Sequence, residues 1–543
     1  MKHDFEELEC IYSLLKKTSK KFPERAVLSE FINNNLVSLK YFELVEAVEK
    51  KTIELQNLGI KQKSNIAISG SNSIDWVITF FSIINLKCTA VPIDPKMNQK
   101  SMEFILNFTN AKLFLVDNIK NFKINSVLEK ITYNMNSVII KLENESNKEL
   151  QSLILLKNIE TTDRQSNNVA QILFTSGTTG DPKGVILTHK NLLSNIADIH
   201  EILPLQKYEK SFSILPLHHV YELTCSLLHN ISKGNCIHFC SRIDILTLTK
   251  EMKAINPTIW PVVPLILEKI YKKAIKNISS SKIKRSLYSF SPKLFGLLIK
   301  KALGLKNINL ILSGGAPLNL EVEKFFSKIG LPITQGYGLS EASPLISVNP
   351  LGKQKFGSVG KVISSCEIKI QNPNDKGHGV IFAKGPNIFS GYYKNESTTS
   401  EVLKDGWLNT GDIGYLDDDN YLYITGREKF VIVNKGGKNI YPEEIEEIFI
   451  LSEMIDDIVV FSNDDININA IIKPDESITR NKNLDGVKDI IYKEVLKLNK
   501  NLESFKRITK VYITLEDFEK TSTQKIKRSF LKNINLEKYL SAN

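Results

Sequence analysis

The stretch Thr175-Ser-Gly-Thr-Thr-Gly-Asp-Pro-Lys-Gly184 follows directly on the apolar run Ile172-Leu-Phe174. Three glycines and four hydroxyl residues within ten positions do not suit a protein core. Glycines let the backbone approach a ligand closely, and the N–H groups and hydroxyls of such a loop can surround phosphate oxygens, with Lys183 adding a positive charge. The stretch is not a Walker loop, because it lacks Gly-Lys-Ser/Thr at the required spacing. A flexible surface loop is the alternative, and the density of donors straight after a strand disfavours it.

Apolar runs and amphipathic segments alternate on both sides of this loop. A strand followed by a helix and a second strand is the unit from which sheets with helices on both faces are built. The pattern therefore predicts an α/β fold, with a large N-terminal domain of βαβ sheets, flanking helices and a small β-rich subdomain. The segments that carry this prediction are a helix at 39–58, a strand at Asn65–Ser69, a helix at 73–86, strands at Thr89–Ile93 and 308–313, and β-rich runs within 355–425.

A change of pattern after Gly426 predicts a second, smaller α+β domain. Tyr441-Pro442 is followed by two glutamates, and helix starts favour proline and acidic residues. We expect an N-terminal domain over 1–425, a linker over 426–429 and a C-terminal domain over 430–543. Within the last, the predicted elements are an extended run at 430–433, the helix from Tyr441, strands near 458–461 and 508–514, a helix near 485–499 and an exposed loop in 462–485.

Composition limits the class of protein. The chain has 543 residues, 42% of them hydrophobic and 24% charged, which excludes wholesale disorder. Lys and Arg number 71 and Asp and Glu 60, so the net charge is +11, a balance that suits phosphate-bearing ligands, an anionic membrane surface or nucleic acid. Six scattered cysteines suit a reducing compartment, and the acidic N-terminus lacks a signal peptide's apolar core, so we expect a cytoplasmic protein.

The stretch 281–305 interleaves Lys and Arg with Leu, Phe and Ile. Such a basic amphipathic pattern is found in helices that lie on a membrane surface, so peripheral contact with the inner face of a membrane is one interpretation. The alternative is a helix that packs on the domain and turns a solvated basic face outward. The apolar run that begins at Trp76 is too short to span a bilayer, which takes ~20 apolar residues, and it is predicted to be a buried helix.

Residues 172–183 resemble the AMP-binding signature of the adenylate-forming superfamily, which includes acyl-CoA synthetases, peptide-synthetase adenylation domains and beetle luciferases. The resemblance covers roughly residues 10–530 and is strongest to long-chain fatty acyl-CoA synthetases. It implies ATP, Mg²⁺ and coenzyme A as ligands. The later motifs, in the family's order, are Leu215-Pro-Leu-His-His-Val220, Ser313-Gly-Gly-Ala-Pro-Leu318, Gln335-Gly-Tyr-Gly-Leu-Ser-Glu-Ala-Ser-Pro344, Gly406-Trp-Leu-Asn-Thr-Gly-Asp412, Gly426-Arg427 and Gln524-Lys-Ile-Lys-Arg528.

The resemblance implies a nucleotide site. Tyr337 would stack on adenine, Asp412 would accept from the ribose hydroxyls, and Arg427 would bridge ribose and phosphate. A carboxylate beside a triphosphate requires an intervening cation, so Glu341 is the expected Mg²⁺ ligand. Without that context, Asp412 would be read as a turn residue and Glu341 as a surface glutamate. The implied nucleotide-binding set is Thr175, Ser176, Gly177, Thr178, Thr179, Gly180, Lys183, Gly314, Gly315, Ala316, Gly336, Tyr337, Gly338, Ser340, Asp412 and Arg427.

The resemblance also implies the catalytic and substrate-binding residues. Lys525 would neutralise charge developing at the α-phosphate, although Gln524 stands where the family has glycine. His219 would line the carboxylate site, and Glu341 completes the catalytic set. Amino-acid-activating relatives have an aspartate at the position of Val220, so a substrate without an amino group is favoured. The expected walls of the acyl pocket are His219, Trp260, Val262 and Val263.

Two half-reactions at one site require exchange of catalytic groups, and in this family the C-terminal domain swings to provide it. The resemblance makes Lys429 the hinge, and it makes Gly436, Gly437 and Lys438 the loop that meets coenzyme A. We expect an AMP-forming ligase that joins a medium- to long-chain fatty acid to coenzyme A. Transfer to acyl carrier protein is the alternative, a basic membrane- or nucleic-acid-binding module a remote one, and no nucleic-acid partner is expected.

Overall fold

The protein's structure is a computed structural model that describes residues 5, 7–117, 168–175, 182–203, 208–433, 438–463, 467–480, 483–521 and 526–542, and the backbone of 129–131 and 138–141. A π-helical segment, Tyr221–Leu228, leads directly into the helix His229–Lys233. The α-helices are α1 Ile11–Lys21, α2 Tyr41–Asn57, α3 Ile74–Asn85, α4 Gln99–Thr109, α5 His189–Ile202, α6 His229–Lys233, α7 Ile245–Ile255, α8 Pro264–Ser279, α9 Lys282–Phe290, α10 Pro292–Leu303, α11 Leu320–Lys328, α12 Glu396–Val402, α13 Pro442–Phe449, α14 Glu476–Thr479 and α15 Leu484–Leu498.

The described strands form two large sheets, followed by a two-stranded sheet and a four-stranded sheet in the C-terminal region. In chain order they are β1 Ala26–Ile32, β2 Asn35–Lys40, β3 Asn65–Ser69, β4 Thr89–Ile93, β5 Leu113–Val116, β6 Glu129–Ile131, β7 Val138–Lys141, β8 Val169–Thr175, β9 Lys183–Thr188, β10 Lys210–Ser213, β11 Cys236–Phe239, β12 Ile259–Val262, β13 Leu310–Ser313, β14 Ile333–Gly338, β15 Leu345–Val348, β16 Gly360–Val362, β17 Glu367–Gln371, β18 Gly379–Lys384, β19 Leu403–Lys404, β20 Trp407–Leu416, β21 Tyr421–Arg427, β22 Ile432–Val433, β23 Asn439–Ile440, β24 Ile455–Phe461, β25 Ile468–Pro474, β26 Ile508–Ile513 and β27 Leu540–Ser541.

The first large sheet has the order β6-β7-β5-β3-β4-β8-β9 in the described part of the chain. Strands β3 and β4 run parallel and are joined by the buried helix α3, whose N-cap Ser73 accepts a hydrogen bond from the Trp76 amide at 3.1 Å. The predicted strand, helix and strand at this point are confirmed. At the sheet edge β8 and β9 form an antiparallel pair in which Thr175 lies opposite Lys183. The two ends of the glycine-rich stretch are therefore held side by side.

The second large sheet has the order β17-β18-β20-β21-β16-β15-β14-β13-β12-β10-β11-β1-β2 within the described residues, and β19 pairs with β20. Its centre, from β11 to β14, is parallel, and from β14 through β21 to β17 the pairing is antiparallel. The predicted β-rich stretch is therefore joined to the large sheet through β15 and β16. The change from parallel to antiparallel pairing occurs at β14, which carries Gly336, Tyr337 and Gly338.

The C-terminal region has its own sheet, β24-β25-β26-β27, and its own core, in which Ile445, Phe449 and Ile491 are fully buried. The stretch 462–485, expected to include an exposed loop, also contains a strand that the sequence pattern did not predict. Strand β25 lies in that stretch, pairs with β24 and β26, and is almost wholly buried. Most residues of this strand are apolar, as in Ile468-Asn-Ala-Ile-Ile472. Asparagines and aspartates stand within and around this run, and they obscured the strand pattern in the sequence.

Two side chains of the N-terminal region bond to backbone carbonyls of the C-terminal region. The Asn319 side chain donates to the Glu447 carbonyl at 2.6 Å, and the Lys272 ammonium donates to the Ile455 carbonyl at 2.9 Å. Burial raises the pKa of Glu447 to about 8 and that of Glu268 on α8 to about 7. Half-buried carboxyl groups and two hydrogen bonds therefore lie close together where the two regions meet. Across the described ranges, no helix combines the length and the apolar character needed to cross a bilayer.

Candidate active site

A cavity of about 2900 Å³ lies between the second large sheet, the glycine-rich hairpin and the C-terminal region. One end is polar and contains most of the described residues chosen from the motifs: Thr175, Lys183, Gly314, Gly315, Ala316, Gly336, Tyr337, Gly338, Ser340, Glu341, Asp412, Arg427 and Lys429. The other end is a mainly apolar arm between α7, α8 and α10, lined by Leu248, Val263, Leu265, Ile266, Ile270, Ala274, Ile299, Ala302 and Leu303, and Thr249, Lys269, Lys273 and Asn277 of α7 and α8 also border the cavity. His219 and Val220 also border the cavity.

Asp412 is the buried centre of the polar end. Its Oδ2 accepts a hydrogen bond from the Tyr337 hydroxyl at 2.7 Å, and its Oδ1 lies 2.8 Å from Nε of Arg427. Asp412 and Arg427 are direct partners across the β20–β21 pair, so the sheet register brings them together. Burial and the neighbouring Asp412 charge raise the pKa of Tyr337 well above its ordinary value. The structure therefore unites the three residues expected to contact base and ribose.

Glu341, the expected Mg²⁺ ligand, is oriented by a residue outside the motifs. The Tyr392 hydroxyl donates to Oε1 of Glu341 at 2.8 Å, and the Nζ of Lys183 lies 5.3 Å from the centre of the Tyr392 ring. The backbone of 391–393 runs alongside β9, where the Tyr393 amide donates to the Gly184 carbonyl at 2.7 Å. Tyr392 thus links the glycine-rich hairpin to the carboxylate. Sequence reasoning missed it because 51 residues separate it from Glu341.

Two glycines of the polar end are required by the local backbone, one for close packing and one for its positive φ. A Cβ on Gly338 would lie 1.9 Å from the Pro344 carbonyl oxygen, so no side chain is tolerated there. Gly315 has φ +82°, in the left-handed region that glycine adopts without strain. A Cβ on the neighbouring Gly314 would contact the Tyr221 ring at 3.4 Å. The loop after β13 therefore presents bare backbone to the cavity.

Two histidines border the cavity between its polar and apolar ends. Burial lowers the pKa of His219 to about 4, so its imidazole is neutral at pH 7. Its ring centre lies 4.4 Å from that of His218, whose Nε2 lies 3.8 Å from Oδ2 of Asp94. The Nε2 of His219 has no hydrogen-bond partner in the described part of the chain. A buried imidazole nitrogen without a partner can bond to a substrate carboxylate.

Glu222 is a buried carboxyl group beside the cavity that the motifs did not predict. Burial raises its pKa to about 7, although the hydroxyls of Ser213 and Ser226 act to lower it. Neither carboxyl oxygen has a partner of normal hydrogen-bond geometry among the residues described. The residue lies on the π-helical segment, and π-helices occur frequently at functional sites. No spacing in the sequence distinguishes Glu222 from an ordinary helix glutamate.

The expected walls of the acyl pocket need correction. Only Val263 of the three residues predicted on this segment lines the cavity. Trp260 and Val262 lie two positions apart on β12 and point into the adjoining hydrophobic core, where both are fully buried. The apolar arm is formed instead by the inner faces of α7, α8 and α10.

Lys525 lies outside the described residues, but both flanks of its segment are well placed. Thr521 and Ile526 line the cavity. The Nζ of Lys520 lies 2.7 Å from Oδ2 of Asp457, and the Arg528 guanidinium lies 2.5 Å from Oε2 of Glu446. Ion pairs within the C-terminal region thus fix the two ends of the segment against the polar end of the cavity.

The other expected phosphate and coenzyme A residues are only partly described. Ser176, Gly177, Thr178, Thr179, Gly180, Gly436 and Gly437 lie outside the described residues. Lys429 lies in the short 3₁₀ helix Glu428–Phe430 and borders the cavity. The Nζ of Lys438 lies 4.4 Å from the Phe505 ring centre, and Lys438 is not among the described residues that line the cavity.

The polar end fits a nucleotide and its metal ion. Asp412 still has acceptor capacity, because an ionised carboxylate has about four lone-pair sites and uses one for each present partner. Glu341 is a single carboxylate, and Mg²⁺ is commonly held by one or two carboxylates together with water and substrate phosphates. The described residues contain no cluster of three or more metal-binding side chains. The donor set thus suits a metal ion that binds with the nucleotide.

Comparison with known proteins agrees with this geometry. The AMP-binding enzyme family matches residues 15–393, and the AMP-binding enzyme C-terminal domain matches residues 429–542. An oxalate–CoA ligase of Arabidopsis thaliana is 29% identical over 98% of this chain and 99% of its own length. A human long-chain-fatty-acid–CoA ligase is 30% identical over 75% of this chain and 68% of its own length.

Solved structures share the fold. The o-succinylbenzoate CoA synthetase of Bacillus subtilis, solved with an acyl-adenylate intermediate, superposes with a TM-score of 0.74 over 96% of this chain and 98% of that one, at 22% identity. The large α/β N-terminal region and the smaller C-terminal region are those of adenylate-forming enzymes. The chain therefore belongs to the AMP-binding enzyme family of the adenylate-forming superfamily.

Proposed function

We propose that this chain activates a medium- to long-chain fatty acid as its acyl adenylate, with release of pyrophosphate, and then transfers the acyl group to coenzyme A. The observation that carries the proposal is the mainly apolar arm between α7, α8 and α10, which belongs to the same cavity that His219 borders. An alkyl chain gains free energy in such an arm in proportion to the apolar area it buries. A small dicarboxylate such as oxalate would gain nothing there.

In the first half-reaction a carboxylate oxygen attacks the α-phosphorus of ATP, and the bond to the β-phosphate oxygen breaks. His219, neutral at pH 7, would hold the carboxylate at the junction of the two ends of the cavity. Tyr337, Asp412 and Arg427 would hold the nucleoside. Lys525 would neutralise the charge that develops at the α-phosphate. Glu341, oriented by Tyr392, would hold the Mg²⁺ ion, which supplies charge neutralisation to the phosphates.

In the second half-reaction the thiolate of coenzyme A attacks the acyl carbon, and AMP leaves. This step requires that Lys525 withdraw and that a thiol reach the adenylate. We assign the nucleotide- and acyl-binding platform to 1–425, the hinge to 426–429 around Lys429, and the moving domain to 430–543. Lys438 is directed at Phe505 rather than at the cavity, which supports its use, with Gly436 and Gly437, only after the domain has turned.

The test is pyrophosphate release with ATP and a panel of acids: saturated fatty acids of increasing length, oxalate and an aromatic acid. We expect release that depends on fatty acid and on Mg²⁺, and thioester formation with coenzyme A. Release with oxalate and none with fatty acids would overturn the substrate assignment. Holo-acyl carrier protein is offered in parallel, and a thioester on that acceptor alone would replace coenzyme A by the carrier.

A variant separates the two half-reactions. Lys525→Ala is expected to abolish adenylate formation while largely retaining thioester formation from supplied acyl adenylate. Lys438→Ala is the matched lysine variant, and it is expected to leave adenylation intact and raise the KM for coenzyme A. Equal loss of both half-reactions in Lys525→Ala would contradict its assignment to the first.

A further inference from the structure

One segment of the chain carries cationic residues without any acidic ones. Residues 269–320 contain no Asp or Glu. The same segment contains eleven cationic residues, as many as the whole net charge of +11, and spans α8, α9 and α10. They are Lys269, Lys272, Lys273, Lys276, Lys282, Lys284, Arg285, Lys293, Lys300, Lys301 and Lys306.

The same helices expose large apolar side chains. Helix α9 buries none of its residues, and α10 buries only Phe295 and Gly296. Phe290 is 88% exposed and Ile283 81% exposed. We call the outer surface of α9 and α10 the basic apolar face, whose apolar members are Ile283, Phe290, Leu294, Leu297 and Leu298 and whose exposed cations are Lys282, Lys284, Arg285, Lys293 and Lys301.

Packing fixes which side of α10 looks outward. A Cβ on Gly296 would lie 1.9 Å from the Ile329 carbonyl oxygen, so this side of the helix is pressed against the end of α11. Leu294, Leu297 and Leu298 have the i, i+3, i+4 spacing of one helical stripe, and all three are at least half exposed. The apolar stripe therefore points away from the body of the protein as a consequence of that close contact.

The inner side of the same helices lines the apolar arm. Ile299, Ala302 and Leu303 of α10 and Ala274 and Asn277 of α8 border the cavity. The start of α7, which also borders it, adds the exposed apolar residues Ile243, Ile245 and Leu246. Helix α10 therefore borders the apolar arm on one side and carries the exposed apolar and cationic residues of the basic apolar face on the other.

We propose that the basic apolar face docks on an anionic lipid bilayer and that the fatty acid enters the apolar arm from the bilayer, beside α7 and α10. The proposal rests on the proposed function for its substrate. Cations next to an anionic headgroup layer and apolar side chains inserted below it are the two attractions that hold amphipathic helices at a membrane surface. An acidic carrier protein would match the cations, but it would leave Phe290, Leu297 and Leu298 uncovered.

The experiment measures co-sedimentation of the full chain with vesicles, without ATP or fatty acid. The vesicles are phosphatidylcholine alone or phosphatidylcholine mixed with phosphatidylglycerol. The variants are Phe290→Ser with Leu297→Ser, and Lys284→Glu with Arg285→Glu. Controls of the same kind on and after α15 are Leu484→Ser with Leu496→Ser, which replaces leucines 47% and 49% exposed, and Lys493→Glu with Lys500→Glu.

We expect binding to the anionic vesicles, at least tenfold weaker binding by each face variant, and no change with the controls. Turnover of palmitate carried in vesicles should fall with binding, whereas turnover of octanoate in solution should stay at the wild-type level and verify folding. Equal binding by face and control variants, or binding indifferent to phosphatidylglycerol, would overturn the proposal. So would face variants that lose only transfer to acyl carrier protein. Vesicle binding needs no turnover, so its failure is distinguishable from failure of the proposed reaction.

Discussion

Replacing Asn319 by aspartate tests whether one hydrogen bond holds the two regions in the arrangement described. The Asn319 side chain has two functions. Its Oδ1 caps α11 by accepting from the Glu321 amide at 2.9 Å, and its Nδ2 donates to the Glu447 carbonyl at 2.6 Å. Aspartate keeps the capping oxygen, because aspartate and asparagine are equally good N-caps. It turns the donor into an acceptor that faces a carbonyl.

The expected magnitude follows from the burial of this contact. Asn319 is 6% exposed, so the Glu447 carbonyl would lose its donor where water does not readily replace it. Such a loss costs about 2 kcal/mol, and at 1.4 kcal/mol per factor of ten this corresponds to a shift of about 30-fold in the equilibrium between closed and opened arrangements. In the closed arrangement the flanks of Lys525 line the cavity. The rate of adenylate formation should therefore fall, while thioester formation from supplied acyl adenylate should hold or rise.

The assay is single-molecule energy transfer between one dye on each region, together with the two half-reactions measured separately. Asn395→Asp is the matched control, since Asn395 caps α12 through its bond from the Thr398 amide and lies within the N-terminal region. Unfolding temperature should be the same in both variants. An identical distribution of energy-transfer efficiencies in Asn319→Asp and Asn395→Asp would refute the reasoning. A loss of stability in Asn319→Asp without a change in that distribution would also refute it.

Three further outcomes are expected. Asp412→Asn removes the charge that Arg427 and Tyr337 contact, and hydrogen bonds to charged groups contribute about 1.5–3 kcal/mol. The variant should therefore bind ATP at least ~10-fold more weakly in calorimetry. An unchanged affinity would show that Asp412 does not belong to the site. Tyr392→Phe removes the hydrogen bond to the Glu341 carboxylate, so the rate of pyrophosphate release should fall by about tenfold and more Mg²⁺ should be needed for the half-maximal rate. A rate like that of the wild type would contradict the proposed orientation of Glu341. Burial raises the pKa of Glu222 to about 7, so the folded chain holds this proton more tightly than the unfolded chain and wild-type stability falls as pH rises from about 5 to 8, by on the order of 3 kcal/mol. Glu222→Gln should remove that slope from denaturant-unfolding curves, and parallel pH dependence in variant and wild type would show that the group is not buried as an acid.

Residues named from short motifs are brought together in the structure. Gly336, Tyr337 and Gly338 lie on one strand, β14. This strand stands where the pairing in the large sheet changes from parallel to antiparallel, and its three residues border the cavity. Asp412 and Arg427 were predicted separately, by resemblance, and the β20–β21 register supplies the contact between them. The resemblance carried by short motifs therefore named residues that the structure brings together at the polar end of the cavity.

Contacts across long stretches of chain could not be predicted in the same way. Tyr392 reaches Glu341 because the irregular segment that carries it runs beside β9, and no hydrophobic periodicity in the sequence predicts where such a segment lies. The choice of Trp260 and Val262 as pocket walls was wrong because alternation along a strand does not say which face meets a core and which a cavity. The inner face of α10 was likewise recognisable only after helix packing had placed it against the arm.

The charge of segment 269–320 also affects how the molecule is oriented as it approaches a charged surface. Removing its eleven cations from the 71 Lys and Arg leaves 60, equal to the 60 Asp and Glu, so the remainder of the chain is electrically neutral. Five of these cations are exposed on the basic apolar face, whereas Lys272 lies at the contact between the two regions and Lys269 and Lys273 border the cavity, so the molecule has an asymmetric charge distribution. In the field of a negatively charged surface it turns its positive side forward while still about one screening length away, roughly 8 Å in physiological salt. Orientation thus precedes contact, and raising the salt concentration should slow productive encounters before it weakens the final complex.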